Sequence, residues 1–227
     1  MPEFTDKVLG DCQAGVDVSL YLKSGVILEQ TARPLLENDR VIGCLWSFKD
    51  VTSKLLAEER LRHLATTDDL TGLWNRRCFM SRAEAEIAQA VLFRRPLCLA
   101  LMDVDHFKHI NDTYGHAAGD AALKYLADEL RSRLRASDTI GRIGGEEFAI
   151  ILPGISLEAA HTLLEQIRVA LGNGRIVHAG KDISLTVSIG VAAMPDSIDS
   201  VDELLSVADA ACYKAKASGR NRTEKQA

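Results

Sequence analysis

No part of this 227-residue chain is apolar for long. The longest purely apolar run, Leu97 to Met102, falls far short of the ~20 residues that cross a bilayer, so no membrane-spanning helix is expected. The first residues, Met1-Pro2-Glu3-Phe4-Thr5-Asp6, lack the basic start and apolar centre of a secretory signal, which predicts a cytoplasmic protein. Cysteine is scarce: Cys12, Cys44, Cys78, Cys98 and Cys212 stand singly, an odd set without CxxC spacing. That argues against a disulfide framework and a zinc site, and for reduced thiols held mostly in the core. Neither sign of charge dominates. Lys plus Arg is 27 and Asp plus Glu is 32, and the net charge of −5 gives no overall reason to wrap nucleic acid or anionic lipid. Repeats and low-complexity stretches are lacking as well. What is present, 47% hydrophobic and 26% charged residues, is the composition of a folded protein with room for one full domain and a shorter appendage.

Residues 16 to 50 alternate as strands do. Val18, Leu20 and Leu22 are separated by polar neighbours, Ser24-Gly25 offers a turn, Val26-Ile27-Leu28 resumes, and Glu37-Asn38-Asp39 turns again before Val41 to Phe48. A small antiparallel sheet is predicted. With its closing Asp50-Val51-Thr52 it resembles the C-terminal strands of a PAS sensor domain but is too short for a whole one, which implies a PAS-like fragment over residues 1–51. A charged helix is predicted over 52–66, capped by Thr52 or Ser53, with Ala57, Leu61 and Leu64 at the steps of a short coiled-coil seam. It reads as a connector able to pair with its twin in a dimer, or to lie as a solvated linker on its own domain.

Helices and strands interleave over the remaining domain, 67–227. A helix is predicted from Arg76 to Phe93 with Phe79, Ala83, Ile87 and Val91 on one face, then a fully buried strand from Leu97. Gly119-Asp120 opens a helix carrying Leu123, Leu126, Leu130 and Leu134, short strands flank Gly144-Gly145, and Ser156 begins another helix. Ile183 to Val191 alternates as a half-buried strand, and the last helix runs from a capping box, Ser200 and Glu203, to Gly219. The fold class is α/β in the α+β sense, a central mixed sheet flanked by helices.

The chemistry concentrates where carboxylates crowd. Asp103 and Asp105 lie two apart at the end of the buried strand, so a strand continuing through them points both to one face. Two acids placed together repel, and a divalent cation with oxygen ligands relieves that. The predicted hairpin Gly144-Gly145-Glu146-Glu147-Phe148 presents a second acidic pair, and its glycines allow positive φ and close approach of a ligand. If the hairpin lies beside Asp103, three or four carboxylates converge, a density that one or two Mg²⁺ ions on a phosphorylated substrate would neutralise.

With these motifs the chain resembles the GGDEF-domain diguanylate cyclases, in the Gly-Gly-Glu-Glu-Phe form of the signature. The resemblance covers about Asp68 to Arg222. It includes Asp68 to Arg77, Asp103-Val104-Asp105-His106-Phe107-Lys108, Ile110-Asn111-Asp112, Gly115 to Asp120, Arg142 to Phe148 and Tyr213 to Arg222. It implies a fold similar to the nucleotide cyclase and polymerase palm, and condensation of two GTP into cyclic di-GMP with release of pyrophosphate. By resemblance, Asp103, the Val104 carbonyl and Glu146 would hold Mg²⁺ (or Mn²⁺), with Glu147 supporting a second metal. Glu146 would also accept the proton of the attacking 3′-hydroxyl. Lys108, in the loop after the acidic strand, would face the phosphates, and Lys216 and Arg220, four apart on the last helix, would contact the triphosphate.

Guanine selectivity is expected from Asp120 and Asn111. A carboxylate accepts from guanine N1–H and N2–H₂, whereas adenine offers neither. Asp120 as the N-cap of a helix near Ala121 is the competing reading. His116 packs that loop or touches substrate, and Phe107 packs under the base. Arg135-Ala136-Ser137-Asp138 is an RxxD at the family's register for an inhibitory product site. The ring closure implied by the resemblance needs two sites, hence a homodimer. The alternative is a catalytically silent module that binds GTP or cyclic di-GMP and signals through partners. A cyclase of relaxed base choice is a second rival.

Overall fold

The segment Asp17 to Asp50 forms three antiparallel strands in the computed structural model, which describes residues 17–195 and 200–226. They are β1 (Asp17–Tyr21), β2 (Ile27–Glu37) and β3 (Arg40–Asp50), in that spatial order. Gly25 at φ +84° makes the first turn, and Asn38 and Asp39, both at positive φ, make the two-residue second turn between the paired Glu37 and Arg40. The predicted small sheet is therefore present, its Val16 lying outside the described residues. One cysteine departs from expectation: Cys44, on a half-buried strand and not in a core, is disulfide-bonded, while Cys78, Cys98 and Cys212 are free.

Helix α1 spans Thr52–Thr66. Its start is held by a different residue from those expected. The Asp50 carboxylate accepts from Thr52 N at 2.9 Å and Thr52 Oγ1 at 2.6 Å, bonds that hold its pKa below the ordinary range. No residue of α1 is buried, and Leu56, Leu61 and Leu64 are exposed. The chain divides into two compact units between Ala65 and Thr66.

The second unit is built on six strands: β4 (Trp74–Asn75), β5 (Leu97–Val104), β6 (Thr139–Arg142), β7 (Glu147–Pro153), β10 (Val187–Ala193) and β11 (Arg222–Lys225), with β8 (Ile176–His178) and β9 (Lys181–Ile183) forming a separate hairpin. Their order is β11-β10-β5-β7-β6-β4. Central β5 is antiparallel to both β7 and β10, whereas β4 runs parallel to β6 and β11 to β10, so the sheet is mixed. Helices α4 (His116–Arg133) and α5 (Leu157–Asn173) contribute to one apolar layer, and α2 (Arg76–Phe93) and α6 (Val201–Ala217) to the other. This is the expected α+β sandwich, and β5 is buried at every position because apolar residues line both of its faces.

Two surfaces differ from the sequence pattern. Helix α2 buries Phe79, Ala83, Ile87 and Ala90, leaving Val91 exposed, since its last turn tilts the stripe by one position. Strand β10 is buried through Ala192, not half-buried. Its small residues are a contact face: a Cβ on Gly190 would lie 2.1 Å from Ala208 O and from Cys212 N, so α6 rests directly on the strand. That close approach, with the Ser200 side chain accepting from Glu203 N at the helix start, sets where the C-terminal end of α6 meets β5.

Candidate active site

Pairing in the sheet brings the acids together. Asp103 at the end of β5 stands opposite Glu147 at the start of β7 and opposite Ser188 of β10, and Val104 N donates to Glu146 O at 3.2 Å. Asp103 is 7% exposed. Burial pushes its carboxyl pKa up, and Asp105 adds to this, while the Lys216 ammonium, 2.7 Å from Oδ2, opposes it. Glu146 is raised by burial and by the charge of Asp103. Burial pulls Lys216 down, but its hydrogen bond to Asp103 together with the negative charge around it outweighs that and raises it. The cluster thus holds excess negative charge that one ammonium only partly offsets.

The hairpin tip departs from expectation in its glycines. Neither Gly144 nor Gly145 has positive φ. The Glu147 carboxylate folds back over Gly144, its Oε2 lying 2.2 Å from where a Cβ would stand, whereas Gly145 faces open space. A residue without an assigned role in the sequence reading holds this tip. Arg142 donates through Nε and Nη2 to Gly145 O at 3.1 and 2.6 Å, and through Nη1 to both oxygens of Asp68 at 3.1 Å. Although burial alone would raise Asp68, its bonds from Thr71 and Arg142 lower it, and the pair is half-buried.

Beyond β5, where a loop is expected from the sequence, the chain enters a helix, α3 (Phe107–Tyr114), begun by the left-handed His106. Lys108 therefore lies on a helix and is exposed. Asn111, on the same helix, packs against α4: a Cβ on Gly119 would stand 2.0 Å from its Oδ1 and 3.1 Å from the Phe107 ring. Helix α4 starts at His116, three residues earlier than predicted, because Gly115 at φ +87° ends α3 and begins α4 in one step. Asp120 is consequently inside a helix and exposed, not an N-cap, and His116 is exposed on its first turn. Arg220 is likewise off the helix on which it was placed. Helix α6 stops at Ala217, and Arg220 follows Gly219 in a left-handed turn, still near enough for its charge to lower Asp103.

Asp105 does not join Asp103 in facing the cleft. Its carboxylate accepts from three protein donors. The RxxD segment forms a tight turn between α4 and β6: Arg135 N donates to Asp138 Oδ2 at 2.8 Å, Asp138 N donates to Arg135 O at 3.0 Å, and the Arg135 side chain is exposed.

Among the described residues no group of three or more His, Cys, Asp and Glu side chains is arranged to hold a metal. The oxygens at hand are the carboxylates of Asp103 and Glu146 with the adjoining main chain of Val104. This anionic, hard donor set, with both acids raised by burial and by the charge of a neighbouring carboxylate, fits a hard divalent cation. Among the described residues no helix is long and apolar enough to cross a membrane.

An open mixed sheet with an acidic strand end beside an acidic hairpin, flanked by a lysine and an arginine, defines a nucleotide-cyclase-like domain. The family model described as "Diguanylate cyclase, GGDEF domain" matches residues 65–222, and the chain belongs to that family. It is 45% identical over 166 residues to the diguanylate cyclase DgcP of Pseudomonas aeruginosa, covering 73% of this chain and 25% of that protein. It is 42% identical over 160 residues to the response regulator PleD of Caulobacter vibrioides, covering 70% of this chain and 35% of that one. The chain thus spans about a quarter to a third of these two relatives. Among solved structures, the coiled coil and GGDEF domain of DgcB from Caulobacter crescentus in complex with c-di-GMP superposes with a TM-score of 0.72 at 34% identity, covering 77% of this chain and 93% of that one.

Proposed function

We propose that this protein is a diguanylate cyclase that condenses two GTP into cyclic di-GMP and two pyrophosphates, working as a homodimer with feedback through its RxxD turn. The observation that carries the reading is the meeting of Asp103 and Glu146 at adjoining strand ends, beside Lys216. In this reading Asp103, Glu146 and the Val104 carbonyl hold Mg²⁺ or Mn²⁺, and Glu147 supports a second position. Bound there, the cation lowers the pKa of the attacking 3′-hydroxyl and neutralises charge on the phosphates. Glu146, whose carboxyl pKa is raised by burial and by Asp103, accepts the hydroxyl proton. Lys108, Lys216 and Arg220 bind the triphosphate and offset charge that develops as pyrophosphate leaves.

Asn111 and Asp120 read the guanine edge, with Phe107 beneath the base and His116 at the rim. Phe107 and Asn111 are held against the Gly119 surface of α4, which fixes the pocket before substrate arrives. Each subunit holds one nucleotide and supplies one attacking hydroxyl, so ring closure needs two copies face to face. The unburied seam of α1, Ala57, Leu61 and Leu64, supports its role as the connecting clamp over 52–66, between a PAS-like fragment at 1–51 and the cyclase domain at 67–227.

The test is to incubate the chain with GTP, ATP and Mg²⁺ and to identify products by chromatography and mass. Cyclic di-GMP alone is expected, with no product from Glu146→Ala. Absence of any dinucleotide from the wild type would sink the enzymatic reading and leave a nucleotide-binding signalling module. A mixed or adenine product would instead remove the assigned base selectivity.

A further inference from the structure

Asp105 is a buried acid whose two oxygens both accept from protein donors. It is 4% exposed. Oδ1 accepts from Ser188 Oγ at 2.6 Å, and Oδ2 accepts from Thr186 Oγ1 at 2.9 Å and from the main-chain N–H of Asn221 at 3.0 Å. Its own N–H donates to Thr186 O at 2.9 Å. Three donors on two oxygens leave little lone-pair capacity pointing outward, and all three belong to groups held by the sheet or by the turn after α6. Such a carboxylate is poorly placed to take a metal or a substrate proton.

What it does hold is unusual backbone. Gly219, Arg220 and Asn221 follow one another at φ +111°, +61° and +45°. Two consecutive non-glycine residues in the left-handed region each cost on the order of 1 kcal/mol or more, and persist only where their surroundings over-determine them. The determinants are on either side. Arg220 N donates to Ala215 O at 3.0 Å, tying the turn to the helix end. Asn221 N is taken by Asp105, and the Asn221 Oδ1 accepts from Arg168 Nη1, an arginine itself locked onto Glu165. Arg220, exposed between these anchors, is near enough to Asp103 for its charge to lower that carboxyl pKa.

We infer that Asp105 is a positioning residue: its buried carboxylate pins the left-handed turn at Asn221 to the end of β5, and thereby aims the Arg220 guanidinium at the triphosphate beside Asp103. This rests on the proposed cyclase reading, in which Arg220 meets the phosphates. A flexible turn would let that guanidinium sample many directions, so loosening the pin weakens nucleotide binding without touching the reacting atoms.

The experiment measures the Kd of the full chain for a non-reactive GTP analogue in saturating Mg²⁺, together with kcat, for Arg220→Ala, Asp105→Ala, Asp105→Asn and the Arg220→Ala/Asp105→Ala pair. Arg220→Ala and Asp105→Ala are each expected to raise Kd about tenfold, and the double variant no further, since both remove one interaction. Asp105→Asn is expected within about twofold of wild type. Its amide oxygen can still accept from Asn221 N and Thr186 Oγ1, while its amide nitrogen donates to the Ser188 hydroxyl. An Asn variant as impaired as Ala would mean that the charge itself acts at the reacting centre, and would overturn the proposal; so would additive effects in the pair. An unchanged Kd in Arg220→Ala alone would instead remove Arg220 from the proposed site. Should Asp105→Ala not fold, Arg168→Ala, which frees the other anchor of Asn221, is read in its place, and an unchanged Kd there overturns the inference.

Discussion

Replacing Glu146 by glutamine should abolish turnover and, in the absence of divalent metal, make the protein more stable. The substitution keeps the side chain's shape and the main-chain bond from Val104 N to Glu146 O. It removes one negative charge from the vicinity of Asp103 and Glu147. The sign follows from proton linkage. The Glu146 pKa is raised on folding, by burial first and Asp103 second, so the folded chain binds that proton more tightly than the unfolded one. Its favourable contribution is present at acid pH and is lost as pH rises through the shifted value, leaving a penalty at neutrality that a neutral amide does not carry. Because the group is partly exposed, solvent screening leaves that penalty on the order of 0.5 kcal/mol, or about 1–2 °C in Tm. Mg²⁺ acts in the opposite sense on the two proteins: at ten times its Kd it stabilises the wild type by about 1.4 kcal/mol, near 3–5 °C, and should do far less for the variant. Thermal melts at neutral pH therefore cross over. Glu146→Gln melts higher in chelator, and wild type melts higher in Mg²⁺. A variant that melts lower in chelator, or that gains as much from Mg²⁺ as wild type does, would refute the idea that these acids form a repulsive cluster awaiting a cation.

Further perturbations test the scaffold around that cluster. Gly190→Ala would press a Cβ to 2.1 Å from two main-chain atoms of α6, which cannot yield as a side chain can, so stability should fall by about 3 kcal/mol and Tm by roughly 6–12 °C. Gly119→Ala would stand 2.0 Å from Asn111 Oδ1, and displacing that amide should weaken binding of a GTP analogue about tenfold in a titration. Arg135→Ala, on an exposed side chain, should relieve inhibition by added cyclic di-GMP while sparing the initial rate at low product; unchanged inhibition would move the feedback site elsewhere.

Much of the fold could be read from the sequence because its strongest signals are periodic. The apolar run of β5, the stripe of α4 and the caps at Ser156 and Ser200 each declare themselves within one or two turns of chain, and the structure carries all of them. The errors arose where contact across the fold overrode local pattern. Ser188 and Gly190 read as the polar side of a half-buried strand, yet they are small because α6 lies against them. Helix α3 was missed because it is short and opens on a left-handed histidine with no side-chain cap to announce it. The paired glycines suggest a turn at positive φ, yet neither adopts it, and Gly144 lies instead beneath the carboxylate of Glu147, three residues on.

The site follows the same division, and the two aspartates of the Asp-Val-Asp sequence make the physical reason plain. Spacing alone assigned both to one ligand-facing role. Among the described residues Asp103 pairs with the Lys216 ammonium, on a flexible four-carbon stem, and keeps acceptor capacity for a further cation. Asp105 meets donors from residues 81, 83 and 116 positions away, two hydroxyls and an amide that fold into place only when β10 and the turn after α6 have docked. No local rule pairs residues so distant, and the same holds for the Arg142 that joins Asp68 to the hairpin across 74 positions. An acid is available for chemistry only if the fold leaves its lone pairs unspent, and that is settled by the count of fixed donors around it, a quantity the chain acquires on folding.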